Sequence, residues 1–169
     1  MEHEILLSKE QIQIRLSQLA VQIREYYTDK PWIAVIVYNG AVFFAADLLR
    51  QIDGEFKISG IQASSYNGGL ESGTLSISGK VDCAGHHVLI IDDIYDTGKT
   101  LHALTEHFFE SGALSVECCV LLSKEARKIK PIEIKFSAFS IQDKFVYGYG
   151  LDVENRFRNL EHIAAYKHE

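Results

Sequence analysis

Residues 88–101, VLIIDDIYDTGKTL, contain the strongest signal for a fold class in this sequence. An apolar run leads into two adjacent aspartates, and Gly98 then precedes a segment whose apolar residues recur at helical spacing. A short, continuously apolar run is typical of a strand buried on both faces, and glycine permits a tight turn. The stretch therefore predicts a strand, a loop and a helix in succession.

The rest of the chain repeats this alternation. Further buried strands are predicted at WIAVIVY (32–38), KISGIQAS (57–64) and LSVECCVLLS (114–123). Helices are predicted from the Ser8–Gln11 capping box to about Tyr27, over VFFAADLLRQI (42–52) and over TLHALTEHFFESG (100–112). Because parallel strands need crossover connections, the alternation predicts an α/β fold with a mainly parallel central sheet flanked by helices. KFSAFSI and FVYGYG predict further strands at an edge or in a small C-terminal subdomain.

Composition limits the class of protein. With 169 residues and 47% hydrophobic content, the chain is expected to form a single domain over residues 1–169. The net charge of −6 offers nucleic acid no general attraction, so no nucleic-acid partner is expected. No apolar run approaches the roughly 20 residues that span a bilayer, and the acidic start does not resemble a signal peptide, so no membrane partner is expected. The cysteines, Cys83, Cys118 and Cys119, lack metal spacing and are expected to be reduced core thiols of a cytoplasmic protein.

The loop after the apolar strand has the chemistry of a phosphate site next to a diol site. The amides of residues 96–100 can form an anion-binding nest that leads into a helix. A nucleotide-triphosphate P-loop is excluded because Asp93 stands where that motif requires glycine. Two vicinal carboxylates, Asp92 and Asp93, suit the two hydroxyls of a ribose and can help to hold Mg²⁺. Together these features predict a ribose 5-phosphate site.

A glycine- and serine-rich segment, residues 66–80, does not fit a compact sheet. It can be an exposed hairpin, or it can be a mobile lid that closes over a site. The segment alone leaves both interpretations open.

The stretch 88–101 resembles the 5-phosphoribosyl-1-pyrophosphate (PRPP) signature of type I phosphoribosyltransferases. NGAVFFAADLLRQI, the pair Ser65–Tyr66, SVECCVLLSKEARK and IQDKFVYGYGLDVENRFRNL resemble the hypoxanthine-guanine phosphoribosyltransferases, over roughly residues 5 to 166. The resemblance implies the type I fold with a small hood subdomain and a mobile lid. It also implies purine salvage: PRPP and a 6-oxopurine give a nucleoside monophosphate and pyrophosphate.

The same resemblance implies a role for each matched residue. Asp96 is expected to exchange a proton at purine N7. Lys124 is expected to donate to the 6-oxo group and Phe145 to stack on the purine. The ribose and 5-phosphate of PRPP are expected to contact Asp92, Asp93, Asp96, Thr97, Gly98, Lys99 and Thr100. The remaining expectations are purine contacts at Val146 and Asp152, pyrophosphate contacts at Asn39, Gly40 and Arg158, a lid that begins at Ser65 and Tyr66, and Mg²⁺ held by Asp152, Asp92 and Asp93.

Two positions depart from the family pattern. Asp92 stands where glutamate is usual, and Asn39 stands where lysine or arginine is common. The first change shortens one acidic arm, and the second removes a cation. PRPP binding is therefore expected to depend more on Mg²⁺ and on Arg158.

Several alternatives remain open from the residues alone. Lys124 can be a solvated surface charge, Phe145 can belong to a strand core, and Asp152 with Arg158 can be an ordinary ion pair. The chain can also be a xanthine or pyrimidine phosphoribosyltransferase, or a regulator that senses PRPP on the same fold. The family resemblance further implies a homodimer or homotetramer.

Overall fold

The computed structural model describes residues 3–65, 75–124 and 129–166, with the backbone alone for Ser64, Ser65 and Leu75. In these ranges the helices are α1 Lys9–Tyr26, α2 Val42–Leu49 and α3 Lys99–Glu110. The strands are β1 His3–Leu7, β2 Trp32–Tyr38, β3 Lys57–Ser65, β4 Leu75–Ser78, β5 His87–Tyr95, β6 Ser115–Lys124, β7 Phe136–Ile141, β8 Val146–Tyr147 and β9 Ile163–Tyr166.

A six-stranded sheet in the order β4-β3-β2-β5-β6-β7 forms the centre of the fold. All its neighbouring strands are parallel except β4, which pairs antiparallel with β3. Ile90 of β5 lies between Val35 of β2 and Cys118 of β6, so the apolar run in β5 is at the middle of the sheet. The predicted mainly parallel α/β fold is confirmed.

The core has two layers, one on each face of this sheet. Leu89 and Ile91 of β5 pack on the face that α1 and α2 cover. Val88 and Ile90 pack on the other face, which α3 covers with Leu101, Leu104 and Phe108. Successive side chains of a strand point to opposite faces, so a strand covered on both sides must be apolar throughout. This explains the uninterrupted apolar run before the acidic pair.

The predicted helix starts agree with the structure. Ser8 caps α1, since its side chain accepts from the amide of Gln11 and its own amide donates to the Gln11 side chain. α3 begins at Lys99, directly after Gly98, whose φ of +80° is left-handed. Glycine adopts this conformation without the penalty that a Cβ atom imposes.

A second, small sheet in the order β1-β9-β8 joins the two ends of the chain. β1 and β9 are absent from the sequence prediction, and FVYGYG contributes only the short strand β8 to this sheet. KFSAFSI became β7, an edge of the central sheet. The subdomain expected at the C-terminus therefore also contains the N-terminal strand.

The glycine-rich segment is only partly within the described residues. Its second half contains β4, which pairs with β3 from Gln62↔Ser78 to Ser65↔Leu75, as the hairpin interpretation requires. Residues 66–74, on which the lid interpretation depends, lie outside the part of the chain that the structure describes. The lid therefore stays a prediction.

Two smaller expectations can also be compared with the structure. Cys83, Cys118 and Cys119 are buried and free, which confirms that they are core thiols. In the described ranges, no helix combines the length and the apolar character needed to cross a membrane.

Candidate active site

A cavity of about 340 Å³ lies at the carboxyl ends of β2 and β5, where ligands bind in open parallel sheets. The β2 end contributes Tyr38 and Gly40, and β5 contributes the acidic pair. The start of α3 and the 148–158 loop complete the walls. The residues that line the cavity are Val37, Tyr38, Gly40, Ala63, Asp92, Asp93, Ile94, Tyr95, Asp96, Thr97, Gly98, Thr100, Leu101, Asp152 and Arg158.

The acidic pair is held in an environment that disfavours charge. β5 continues through both residues to Tyr95; Asp92 is buried and Asp93 is half-buried. Burial and then the neighbouring charge of Asp93 raise the pKa of Asp92 well above its ordinary value. Burial also raises the pKa of Asp93, although the bond with Asp92 and the Arg158 guanidinium oppose the shift. Such a pair is stabilised by any ligand that brings a cation or hydroxyl donors to it.

A local hydrogen bond within the pair helps to fix it. The amide of Asp93 donates to Oδ1 of Asp92 over 2.9 Å. This bond holds the first carboxylate in place while both side chains line the cavity. The two carboxylates therefore face the same volume, as a ribose diol would require.

The predicted phosphate loop, residues 96–100, is supported by the segment that begins at Ile129. The amides of Ile129 and Lys130 both donate to the carbonyl of Thr97 over 3.0 Å. A Cβ atom at Gly98 would lie 2.1 Å from the carbonyl oxygen of Lys130. The loop can pack this closely only with glycine, and the first α3 amides, which have no partner within a helix, follow it directly.

Four of the five phosphate-loop residues reach the cavity. These are Asp96, Thr97, Gly98 and Thr100. Lys99 is exposed and is not part of the cavity wall, so its expected contact with PRPP is through the backbone or requires a movement of its side chain.

Asp96 carries the clearest sign of a missing partner. Among the residues that the structure describes, its Oδ1 atom is buried and has no hydrogen-bond partner. Leaving a buried carboxylate oxygen unpaired is costly unless a ligand supplies a donor. The position at the cavity wall is suited to a group that takes a proton from a bound molecule.

The β2–α2 loop, residues 39–41, closes over the acidic pair. A Cβ atom on Gly40 would lie 1.7 Å from Oδ2 of Asp93. The Tyr38–Asn39 peptide bond is cis. Asn39 is exposed and does not line the cavity, whereas Tyr38 and Gly40 do.

The far wall is formed by the 148–158 loop. Nη2 of Arg158 lies 2.7 Å from Oδ1 of Asp152, and its Nη1 donates to the carbonyl of Gly150. The other oxygen of Asp152 accepts from the amide of Asn155 over 2.7 Å. The ion pair that the sequence allowed is present, and both of its members also line the cavity.

Of the residues expected to bind a purine, Asp152 lines this cavity, whereas Lys124, Phe145 and Val146 lie outside it, at the end of β6 and at the start of β8. Lys124 is only 8% exposed, and its Nζ lies 3.3 Å from Oδ1 of Asp143. Phe145 is 56% exposed and stacks on Tyr166 at 6.1 Å between ring centroids, while Val146 is buried. Lys124 is therefore not a solvated surface charge, and Phe145 is not part of a strand core.

The two residues at which the lid is expected to begin lie at the limit of the described chain. Ser65 ends β3, where its backbone alone is described, and Tyr66 lies outside the described residues.

Sequence reasoning missed several cavity residues, including Tyr38, Ala63 and Tyr95. Tyr38 directly precedes the predicted Asn39–Gly40 loop, and this position could have identified it as a cavity residue. Tyr95 accepts at its hydroxyl from the amide of Ile132 over 3.1 Å and thus joins β5 to the segment that supports the phosphate loop. Nothing in its sequence position distinguishes it from an ordinary strand residue.

The carboxylates at the cavity suit a magnesium ion whose remaining ligands are water and substrate phosphates. Within residues 3–65, 75–124 and 129–166, no group of three or more His, Cys, Asp or Glu side chains could by itself hold a metal. Mg²⁺ commonly takes one or two carboxylates and fills its remaining positions with water and substrate phosphates. The raised pKa values of Asp92 and Asp93 show a pair that a cation would stabilise.

Comparison with known proteins shows the family to which the chain belongs. Residues 3–154 match the model of the phosphoribosyl transferase domain. The hypoxanthine-guanine phosphoribosyltransferase of Staphylococcus epidermidis is 39% identical over 98% of this chain and 94% of its own length. The hypoxanthine-guanine-xanthine phosphoribosyltransferase of Tritrichomonas foetus is 35% identical over 96% of this chain and 91% of its own.

Solved structures agree with these relatives. A crystal structure of a hypoxanthine phosphoribosyltransferase from Staphylococcus aureus superposes with a TM-score of 0.91 at 38% identity, covering 97% of this chain and 91% of that one. The Trypanosoma cruzi hypoxanthine phosphoribosyltransferase, as a mutant in a ternary substrates complex, gives 0.90 at 31% identity, with 96% and 94% covered. The chain therefore belongs to the phosphoribosyltransferase family and, within it, to the hypoxanthine-guanine phosphoribosyltransferases.

Proposed function

We propose that this enzyme transfers the 5-phosphoribosyl group of PRPP to hypoxanthine or guanine and releases pyrophosphate. The observation that carries the proposal is the meeting, in one cavity, of the Asp92–Asp93 pair, the phosphate loop and Arg158. These groups match the diol, the 5-phosphate and the pyrophosphate of PRPP in turn.

The ribose is bound by the acidic pair at the end of β5, and its 5-phosphate is bound by the phosphate loop that follows. The carboxylates of Asp92 and Asp93 accept from the ribose hydroxyls. The amides of the phosphate loop and of the first turn of α3 donate to the 5-phosphate, and Thr97 and Thr100 add hydroxyl donors. These uncharged donors stabilise the charge of the phosphate without a cluster of lysines.

The base is selected by Lys124. Its ammonium group carries only donors, so it can satisfy the 6-oxo group of hypoxanthine or guanine and cannot accept from the 6-amino group of adenine. Asp143 holds the ammonium at 3.3 Å, which fixes the position of the end of this long side chain. The exposed ring of Phe145 offers its face to the purine, and the backbones of Val146 and Asp152 read the edge of its six-membered ring.

Asp96 completes the chemistry at the base. As purine N9 forms its bond to C1′ and the bond from C1′ to pyrophosphate breaks, the proton on N7 passes to Oδ1 of Asp96. The electron pair of the broken bond leaves with pyrophosphate. The unpartnered state of this oxygen supports the assignment, because it needs a donor and lies at the cavity wall. A positioned acid or base of this kind typically contributes about 10²- to 10⁴-fold to the rate.

We propose Asp92, Asp93 and Asp152 as the candidates for holding Mg²⁺, which when bound neutralises the charge of the leaving pyrophosphate. Asp152 already pairs with Arg158, so the guanidinium could contact a phosphate group while the carboxylate would hold a Mg²⁺ ion bound to the same pyrophosphate. Turnover should cease in excess chelator and return with added Mg²⁺. Full activity in excess chelator would contradict this part of the proposal.

The substrate assignment is tested with purified protein, Mg²⁺ and PRPP, with each base supplied separately and the nucleotide identified by chromatography. Hypoxanthine and guanine should give IMP and GMP. Xanthine belongs in the series because the Tritrichomonas foetus relative carries it in its name. Product from uracil alone would favour a pyrimidine enzyme, and PRPP binding without product from any base would favour a regulator.

We also propose that the enzyme acts in the cytoplasm as a homodimer or homotetramer. Free, buried cysteine thiols suit a reducing compartment. Val42, Phe43 and Ile58 are large apolar residues exposed on α2 and β3, as expected of a surface that a second subunit covers. Light scattering after size exclusion would show the mass of the assembly, and a monomer at assay concentration would contradict the proposal.

A further inference from the structure

Tyr149 has an unusual combination of backbone and side-chain features. Its φ is +52°, in the left-handed region, although it carries a large side chain and is only 4% exposed. Residues other than glycine hold this conformation only where their surroundings enforce it, and such residues cluster at functional sites.

One contact that enforces the conformation is a hydrogen bond to α2. The hydroxyl of Tyr149 donates to Oδ2 of Asp47 over 2.7 Å. Gln13 donates to the same oxygen over 3.3 Å, and Arg50 lies 3.7 Å from the other oxygen. Burial, followed by the bond to Asp47, raises the pKa of Tyr149, so the phenol stays protonated and remains a donor. The backbone amide of Tyr149 also donates to the carbonyl of Leu160.

The residue that follows Tyr149 touches the opposite wall of the cavity. A Cβ atom on Gly150 would lie 2.0 Å from the carbonyl oxygen of Gly40. The amide of Gly150 donates to the carbonyl of Arg158 over 2.9 Å, and Nη1 of Arg158 donates back to the carbonyl of Gly150 over 2.7 Å. The place of the Arg158 guanidinium is therefore set by where Gly150 rests on Gly40.

We propose that Tyr149, through its hydrogen bond to Asp47, is a positioning residue that sets the distance between Arg158 and the β2–α2 loop, and thereby the binding of the pyrophosphate of PRPP. α2 begins directly after this loop, so Asp47 and Gly40 move together as parts of one unit. Tyr149 ties the 148–158 loop to that unit. The inference rests on the proposed function, because it assigns the pyrophosphate to this gap.

The test is Tyr149→Phe, which removes one oxygen and keeps the ring. We expect KM for PRPP, and KM for pyrophosphate in the reverse reaction, to rise on the order of tenfold, as for the loss of a hydrogen bond to a charged group. KM for hypoxanthine should rise much less than KM for PRPP, because Lys124 and Phe145, whose side chains contact the base in the proposed function, are on other elements. A purely structural role would lower Tm without this split between the two substrates.

Variants of Asp47 provide the matched controls. Asp47→Asn keeps an oxygen that accepts from the Tyr149 hydroxyl and should remain close to wild type in both KM values. Asp47→Leu removes the acceptor and should reproduce the effect of Tyr149→Phe on PRPP. The double variant Tyr149→Phe, Asp47→Leu should be little worse than either single variant, because both remove the same bond.

Equal changes in KM for PRPP and hypoxanthine, or a fall in Tm with unchanged KM values, would overturn the inference. If the wild-type protein made no nucleotide from any base, the proposed function would fail independently of Tyr149. Calorimetric titration with magnesium pyrophosphate would then decide: weaker binding by Tyr149→Phe than by wild type supports the positioning role, and equal binding overturns it.

Discussion

Gly40 and Asp93 approach so closely that a Cβ atom on Gly40 would overlap Oδ2 of Asp93, at 1.7 Å. The β2–α2 loop therefore rests on the acidic pair, and this packing requires that residue 40 lack a side chain. Asn39 carries no charge, so we expect this loop to contribute to PRPP binding through its backbone shape.

Gly40→Ala should therefore impair PRPP binding more than base binding. The added methyl group must displace either the loop or the Asp93 carboxylate, and we expect KM for PRPP to rise on the order of tenfold or more, since small displacements at such a site are costly. Steady-state kinetics with each substrate varied would measure this. Gly54→Ala is the control, because residue 54 does not line the cavity and its added Cβ would meet no atom within 4 Å. Its φ of +123° makes the change a strained one, so it should lower stability and leave KM for PRPP unchanged.

Asp92→Asn should stabilise the protein at neutral pH while it weakens PRPP binding. The pKa of Asp92 is raised in the folded state, so between its ordinary and its raised pKa the folded protein holds more protons than the unfolded chain. By linkage, the free energy of unfolding of the wild type falls as pH rises through that interval. Asparagine carries no charge and can still accept from the amide of Asp93.

Thermal unfolding across pH would test this. We expect Tm of Asp92→Asn to exceed that of the wild type by at least about 2 °C at pH 8, roughly the shift that 1 kcal/mol produces in a chain of this size. The difference should vanish at acidic pH, where Asp92 is protonated in both states. A variant less stable than the wild type at pH 8 would show that the ionised pair is not under strain.

A substitution at Gly98 tests whether the segment at Ile129 and Lys130 supports the phosphate loop. The sequence alone predicts that valine at this position resists the left-handed φ and crowds the phosphate. The structure changes the second reason, because the added Cβ would meet the Lys130 carbonyl at 2.1 Å and the Tyr95 ring at 2.9 Å. Gly98→Val should thus displace the loop from its support.

We expect Gly98→Val to lower stability by about 1–3 kcal/mol, the usual cost of enforced backbone strain, and to weaken PRPP binding. Titration calorimetry on the folded fraction would measure the affinity. Gly112→Ala is matched for left-handed φ, but its Cβ would meet only ordinary contacts at 3.7 Å. It should lose stability and keep its PRPP affinity; unchanged affinity in Gly98→Val would contradict the role of the loop.

The sequence predicted the central elements because their signals are local. The continuous apolar run of β5 and the helical spacing of the apolar residues in α3 can each be seen within one short segment. The Ser8–Gln11 capping box likewise marks the start of α1. β1 and β9 gave no such signal: they are short, and His3 pairs with Tyr166 at the other end of the chain. The pairing depends on tertiary contacts that no local pattern encodes.

The site was predictable to the same extent. The motif predicted Asp92, Asp93 and the phosphate loop, because they follow one another in a single stretch of the chain, at the end of β5 and directly after it. The packing of Gly150 on Gly40 and the bond from Tyr149 to Asp47 join residues about 100 positions apart. These contacts arise only when the small sheet is placed beside the central sheet, so only the folded chain shows them.

Asp96→Asn separates chemistry from binding. The side chain keeps its shape, but it cannot take the proton from purine N7. We expect kcat with hypoxanthine to fall by about 10²- to 10⁴-fold while the Kd for PRPP stays near that of the wild type. A wild-type kcat in this variant would make Asp96 a phosphate-loop residue only.

The choice of base is the most direct test of the proposed function. The measurement is the ratio of kcat/KM for hypoxanthine to that for adenine, in the wild type and in Lys124→Ala. For the wild type we expect a ratio on the order of 10⁴, because the 6-amino group of adenine brings a donor to the buried Lys124 ammonium, which can itself only donate. In Lys124→Ala the ratio should collapse, mainly through a higher KM for hypoxanthine. A wild-type protein that uses adenine as well as hypoxanthine, or a Lys124→Ala variant that keeps the full ratio, would contradict the assignment of this enzyme to 6-oxopurines.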